Sequence, residues 1–131
     1  MTSRPLLVAS ALALGLTGVA LLFAPHEILG LLGVEGASAT SGVLAQLLGS
    51  AWLGLAYGNW TARGLAVGGI HGRAIVIGNL MNATTGALVL LRQAMAGASV
   101  ALWLLCIVLA ATAAAFGWLL RTAPTAPVTR T

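Results

Sequence analysis

Charged side chains fall at the seams of this sequence and almost nowhere else. No charged residue occurs from Pro5 to His26, from Gly36 to Ala62, from Ala74 to Leu91 or from Gln93 to Leu120. A helix rises about 1.5 Å per residue, so about 20 apolar residues cross roughly 30 Å of hydrocarbon. Four such runs fit into the 131 residues with short connections between them. Composition agrees: 60% of the residues are hydrophobic and 6% charged, with a mean hydropathy of +1.03, where an ordinary soluble domain has about 25% charged residues. Inside a bilayer each backbone N–H and C=O must be satisfied by the chain itself, which favours helices over open strands and loops. The sequence therefore predicts an all-α fold, a four-transmembrane-helix up-and-down bundle over residues 1–121. Its spans are placed at about 5–24, 42–62, 73–93 and 100–120, and residues 122–131 are expected to be a disordered cytoplasmic tail.

Local signals set these boundaries. Thr2 or Ser3 can cap the first helix, Pro5 suits its first turn and Pro25 ends it. The run from Leu6 to Ala24 is long for a secretory signal, and a proline directly after Ala24 suits cleavage badly, so a retained helix is expected. "HEILGLLGVEG" is too short to cross a membrane. Its apolar residues Ile28, Leu29, Leu31 and Leu32 share one broad side, as in a short helix lying in the interface between spans 1 and 2. Ser41 and Ser99 are the expected caps of the second and fourth spans, and "GLAVGGIHG" is a glycine-punctuated link before the third. The tail "APTAPVTRT" has no apolar period.

Arginine placement predicts orientation. Arg4, Arg63, Arg73, Arg121 and Arg130 share one side of a four-span chain, and Arg92 stands alone on the other. Positive charge is retained on the cytoplasmic side, so both termini are expected to be cytoplasmic and the protein to reside in an inner (plasma) membrane. The asymmetry argues against dual topology, so a homo-oligomer would be parallel. The alanine-rich, lysine-free composition points to a bacterium. Trp60 and Trp118 fall near the predicted inner interface and Trp103 near the outer one. Trp60, Arg63, Arg73 and Arg121 are the candidate contacts to anionic lipid head groups on the cytoplasmic side, and nucleic acid is not an expected partner. Trp52, mid-span, is expected to pack against helices or lipid.

The polar residues inside the spans pose the functional question. At about 100° per residue, Gln46, Ser50, Gly54 and Tyr57 share a narrow face of the second span, and Asn79, Asn82, Gly86 and Gln93 share one of the third, with Thr85 alongside. Both stripes are predicted to face the bundle interior, where Gln46, Ser50, Tyr57, Asn79, Asn82 and Thr85 would either pack helices together or line a pathway. Asn82, near the midplane, is the leading pathway candidate. Asn59 is predicted to face away, satisfied by local carbonyls or lipid head groups.

Catalytic constellations are missing from the composition. Without aspartate there is no Ser-His-Asp triad, and without lysine no Walker phosphate loop. His26 and His71 fall at opposite ends of the spans, Cys106 is the single cysteine, and Glu27 and Glu35 lie in the connector. No metal or cofactor is expected. The sequence thus predicts a non-enzymatic integral membrane protein that packs against itself or a larger membrane partner, in an accessory or assembly role. The alternative is a small homo-oligomeric channel or carrier for a small neutral or weakly polar solute.

Overall fold

The computed structural model describes residues 3–65, 69–97 and 99–122. They form five helices: α1 (Arg4–Phe23), α2 (Pro25–Leu31), α3 (Ala39–Ala62), α4 (Ile70–Met95) and α5 (Val100–Thr122). α1, α3, α4 and α5 are long and apolar enough to cross a membrane. The chain is an all-α four-helix bundle with a short helix between its first two long ones, the architecture of a multi-pass membrane protein.

Boundaries shift where capping chemistry decides them. α3 starts three residues before the predicted 42 because Ser38 is its cap: the Ser38 hydroxyl accepts from the Ser41 N–H at 3.2 Å, while Ser41 Oγ donates to the Ser38 carbonyl at 2.7 Å. Ser41 therefore sits in the first turn. Ser99 does cap α5, its hydroxyl accepting from the Leu102 N–H at 3.4 Å. Between α1 and α2, Ala24 leaves helical geometry at φ −133°, and Pro25, without an N–H, opens α2. Thr122 completes α5, one residue into the predicted tail, and residues 123–131 lie outside the described ones.

Each long helix buries residues along one seam at spacings of three, four and seven. α1 buries Leu7, Ala11, Gly18 and Leu21; α3 buries Gly42, Ala45, Gly49, Ala56 and Asn59. α4 buries Gly72, Val76, Asn79 and Ala83, and α5 buries Leu102, Cys106, Leu109 and Phe116. This spacing averages about 3.5 residues, the repeat that keeps one seam facing a neighbouring helix along its length. The extensive contacts are α1 against α3 and α4 against α5, and α3 meets α4 over a much smaller area. The bundle is thus two antiparallel pairs set side by side.

The first pair is held at glycine. A Cβ added to Gly18 would stand 2.8 Å from the Gly49 carbonyl oxygen, and one added to Gly49 would stand 2.7 Å from the Gly18 carbonyl oxygen. Backbone meets backbone there, the close approach that small residues permit. The second pair interlocks side chains: Leu109 lies where a Cβ on Gly86 would come within 3.0 Å, and Cys106 Sγ donates to the Ala87 carbonyl at 3.5 Å.

The two pairs join at both ends. At the end where α1 and α4 begin and α3 and α5 finish, Leu7, Ala62, Val76 and Phe116 form a buried cluster flanked by Leu6, Ile75, Leu80, Leu119 and Leu120. At the opposite end Ser99 Oγ donates to the Leu32 carbonyl at 3.0 Å, tying the start of α5 to the loop after α2.

Candidate functional site

Polar groups converge at one place inside the bundle. Asn59, in the last turns of α3, is fully buried, and Asn79 of α4 is 3% exposed. Their amides form a reciprocal pair: Asn59 Nδ2 donates to Asn79 Oδ1 at 2.8 Å and Asn79 Nδ2 donates back to Asn59 Oδ1 at 2.5 Å. The second hydrogen of each amide is also used. Asn59 Nδ2 donates to Ser10 Oγ of α1 at 2.9 Å, and Asn79 Nδ2 donates to the Ile75 carbonyl at 2.9 Å. Ser10 Oγ in turn donates to the Leu7 carbonyl at 3.1 Å. One chain of bonds therefore links three helices with every side-chain donor engaged.

The chemistry of this centre is neutral. It carries no ionisable group, so it neither binds a proton nor presents a fixed charge to an ion. Its physical role follows from burial: an amide left bare in such surroundings costs about 1–3 kcal/mol, and here each satisfies the other. The centre fixes α3 against α4 with α1 attached, at the end where the two pairs already share an apolar cluster.

Only part of the predicted interior set reaches this place. Asn79 is buried and Asn82, three residues on, is half-buried. Gln46, Ser50, Tyr57 and Thr85 are exposed, Tyr57 at 73%, which corrects their assignment to the bundle interior. Gln46 Nε2 reaches the Leu22 carbonyl of α1 at 3.0 Å from the flank of the pair. Ser50 and Thr85 satisfy themselves locally, donating to the carbonyls of Leu47 at 2.8 Å and Met81 at 2.7 Å.

Asn59 is the residue that sequence reasoning assigns to the wrong side. Nine residues separate it from Ser50, two and a half turns at 3.6 residues per turn, so the two stand on opposite faces of α3. The helix turns its small residues Gly42, Ala45, Gly49 and Ala56 inward, because only they let α1 approach to backbone contact. Asn59 continues that small-residue repeat, the signal that identifies it.

The remaining candidates occupy the arginine-bearing end. The Arg63 guanidinium lies 4.1 Å from the centroid of the Trp60 ring and donates to the Trp60 carbonyl, placing positive charge at the C-terminus of α3, where the unpaired carbonyls favour it. Arg73, Trp118 and Arg121 are exposed. His26 packs against α3, its ring atoms Cε1 and Nε2 each 3.0 Å from where a Cβ on Gly42 would stand. The half-buried Trp52 has its indole N–H covered and without an acceptor among the described residues.

No protein-family model matches the chain, and no curated protein or solved structure is significantly similar to it.

Proposed function

We propose that this is a non-enzymatic integral membrane protein of the bacterial inner membrane, with both termini cytoplasmic, that acts by lateral packing in an accessory or assembly role. The observation that carries the reading is the outward face of α3. Ser50, Gly54 and Gly58 repeat every fourth residue there, and a Cβ on Gly54 or Gly58 would meet no atom within 4 Å. Gln46 and Tyr57 border this face and are exposed. Small residues at that spacing let a second helix approach closely, and neighbouring polar side chains bond across such contacts. On the inward face of the same helix, small residues at similar spacing already serve this purpose against α1. A parallel second copy, or a helix of a larger membrane partner, fits the outward face.

The neutrality of the Ser10–Asn59–Asn79 centre supports the non-enzymatic part of the reading. Its groups are committed to one another, which leaves no nucleophile, acid or base in the interior beyond the buried Cys106 among the described residues. The carrier alternative takes a specific form on this geometry: Gln46, Ser50 and Tyr57 would line a path between copies. Solute flux in proteoliposomes distinguishes it from packing alone.

The test uses the full chain in mild detergent. Wild type is expected to run as an oligomer or with a co-purifying membrane protein, and Gly54→Leu to run alone and folded. A strictly monomeric wild type with no partner overturns the proposal.

A further inference from the structure

At the arginine-bearing end, α4 and α5 leave a groove of about 430 Å³, open along one side and lined by Leu80, Ala114, Gly117, Trp118, Leu120 and Arg121. Its shape follows from the sequence of α5. Ala114, Gly117, Trp118 and Arg121 fall at i, i+3, i+4 and i+7, one face of the helix. The first two have almost no side chain, so the floor drops between the Trp118 ring and Leu80 of α4. A Cβ at Gly117 would stand 3.7 Å from Leu80 Cδ1. Leu80 and Leu120 rest on the buried Leu7–Ala62–Val76–Phe116 cluster, which makes the groove a preformed feature of the packed end.

Charge says what fits it. Arg121, in the last turn of α5, is exposed at the mouth. The chain's only two carboxylate side chains, Glu27 and Glu35, belong to α2 and the loop after it, at the opposite end of the bundle. Neither can neutralise Arg121 from there, and among the described residues no carboxylate stands beside it, which leaves its guanidinium open to an anionic group at the mouth. The same i, i+3 spacing of tryptophan and arginine occurs on α3 with a different outcome. There Arg63 folds back over the Trp60 ring and onto its carbonyl, whereas among the described residues no such stack forms between Trp118 and Arg121. Trp118 is 63% exposed and borders the groove.

We propose that this groove is a binding site for one anionic phospholipid. An acyl chain lies along Leu80, Ala114, Gly117 and Leu120, and the phosphate meets the Arg121 guanidinium beside the Trp118 indole. Apolar length with a single cation and an indole at one end matches a lipid better than a soluble anion, which would leave the apolar lining unused. The site rests on the chain being membrane-spanning and is independent of association through α3.

Native mass spectrometry of the full chain from neutral detergent tests it, with phosphatidylglycerol, phosphatidylcholine of the same acyl chains, or inorganic phosphate added. Wild type is expected to retain one phosphatidylglycerol in preference to phosphatidylcholine, and inorganic phosphate should not displace it. Arg121→Gln should lower phosphatidylglycerol retention about fivefold, to the level of phosphatidylcholine, the loss expected for one arginine at a membrane surface. Gly117→Leu should lower retention of both lipids, and Arg73→Gln, also exposed at this end, should change neither. Unchanged retention in Arg121→Gln, an equal loss in Arg73→Gln, or displacement by inorganic phosphate overturns the proposal. Helicity and thermal midpoint are recorded for each variant. Arg121→Gln is the deciding one, because it changes the surface away from the buried core and should leave both unaltered.

Discussion

The two helical pairs solve the same problem with opposite means. α1 and α3 meet through what their residues lack: Gly18 and Gly49 bring main chains into contact, with Ala11, Ala45 and Ala56 on either side. α4 and α5 meet through what theirs supply, with Leu109 filling the space beside Gly86 and Phe116 packed with Val76. In hydrocarbon the burial of apolar surface gives little drive to helix association, and close contact itself must supply it. Glycine supplies it by backbone approach and leucine by interdigitation. The first pair should therefore fail when atoms are added, and the second when they are removed.

The largest effect is expected at Gly49. Its added Cβ would lie 2.7 Å from the Gly18 carbonyl oxygen and 2.9 Å from Leu21 Cβ, so the obstruction is backbone on one side and the root of a side chain on the other. Neither can rotate away. Gly49→Leu should abolish the α1/α3 pair altogether, read as loss of native thermal unfolding in detergent. Gly54→Leu, five residues along on the open face, should leave the unfolding curve in place. If both behave alike, the close contact is not what holds this pair.

Phe116 tests the other half of the contrast. It is fully buried in the cluster where both pairs join. Phe116→Ala is expected to cost about 3 kcal/mol, toward the lower end of the range for aromatic truncation because the lost contacts are not reinforced by exclusion of water. Phe116→Leu should cost under about 1.5 kcal/mol, since most of the volume is kept. Denaturation by increasing SDS in mixed micelles measures both. A loss for Phe116→Ala no larger than for Phe116→Leu would mean that the second pair also rests on backbone approach.

The legibility of these features in the sequence differs for a physical reason. Span number, length and the short second helix follow from hydrophobic run length and from Pro25, because the bilayer and the missing N–H leave no alternative. Which way each helix faces does not follow from hydrophobicity, since α3 is apolar on every side and carries polar residues on both. Counting polar groups favours the Gln46–Ser50–Tyr57 side. The structure follows the small residues Gly42, Ala45, Gly49 and Ala56 instead, since closeness of approach outweighs a few polar groups that can bond to local carbonyls, as Ser50 does to Leu47. Asn79 is legible because it shares its side of α4 with the small residues Gly72, Ala83 and Gly86. Asn59 is not, because it is a single amide in line with glycines and alanines.

A smaller effect than the loss of Phe116 is expected between the pairs, in a third kind of contact that neither pair uses internally. Asn59 and Asn79 are linked by two hydrogen bonds across the limited α3/α4 seam. Asn59→Leu removes both and leaves the Asn79 amide with only the Ile75 carbonyl, which should cost about 1–2 kcal/mol, most of it the penalty of an unsatisfied group. The double variant Asn59→Leu, Asn79→Leu removes the orphan as well. Ser10 keeps its own bond to Leu7, so the double variant should recover much of the loss, with a coupling energy of about 0.6–1.7 kcal/mol. A double variant as stable as wild type, yet with freer movement of the two pairs by spin-label distances, would assign the amides to orientation and leave cohesion to glycine and leucine. A double variant that loses the sum of the two single losses would instead mean that the amides act independently, and that the seam is held by packing around them.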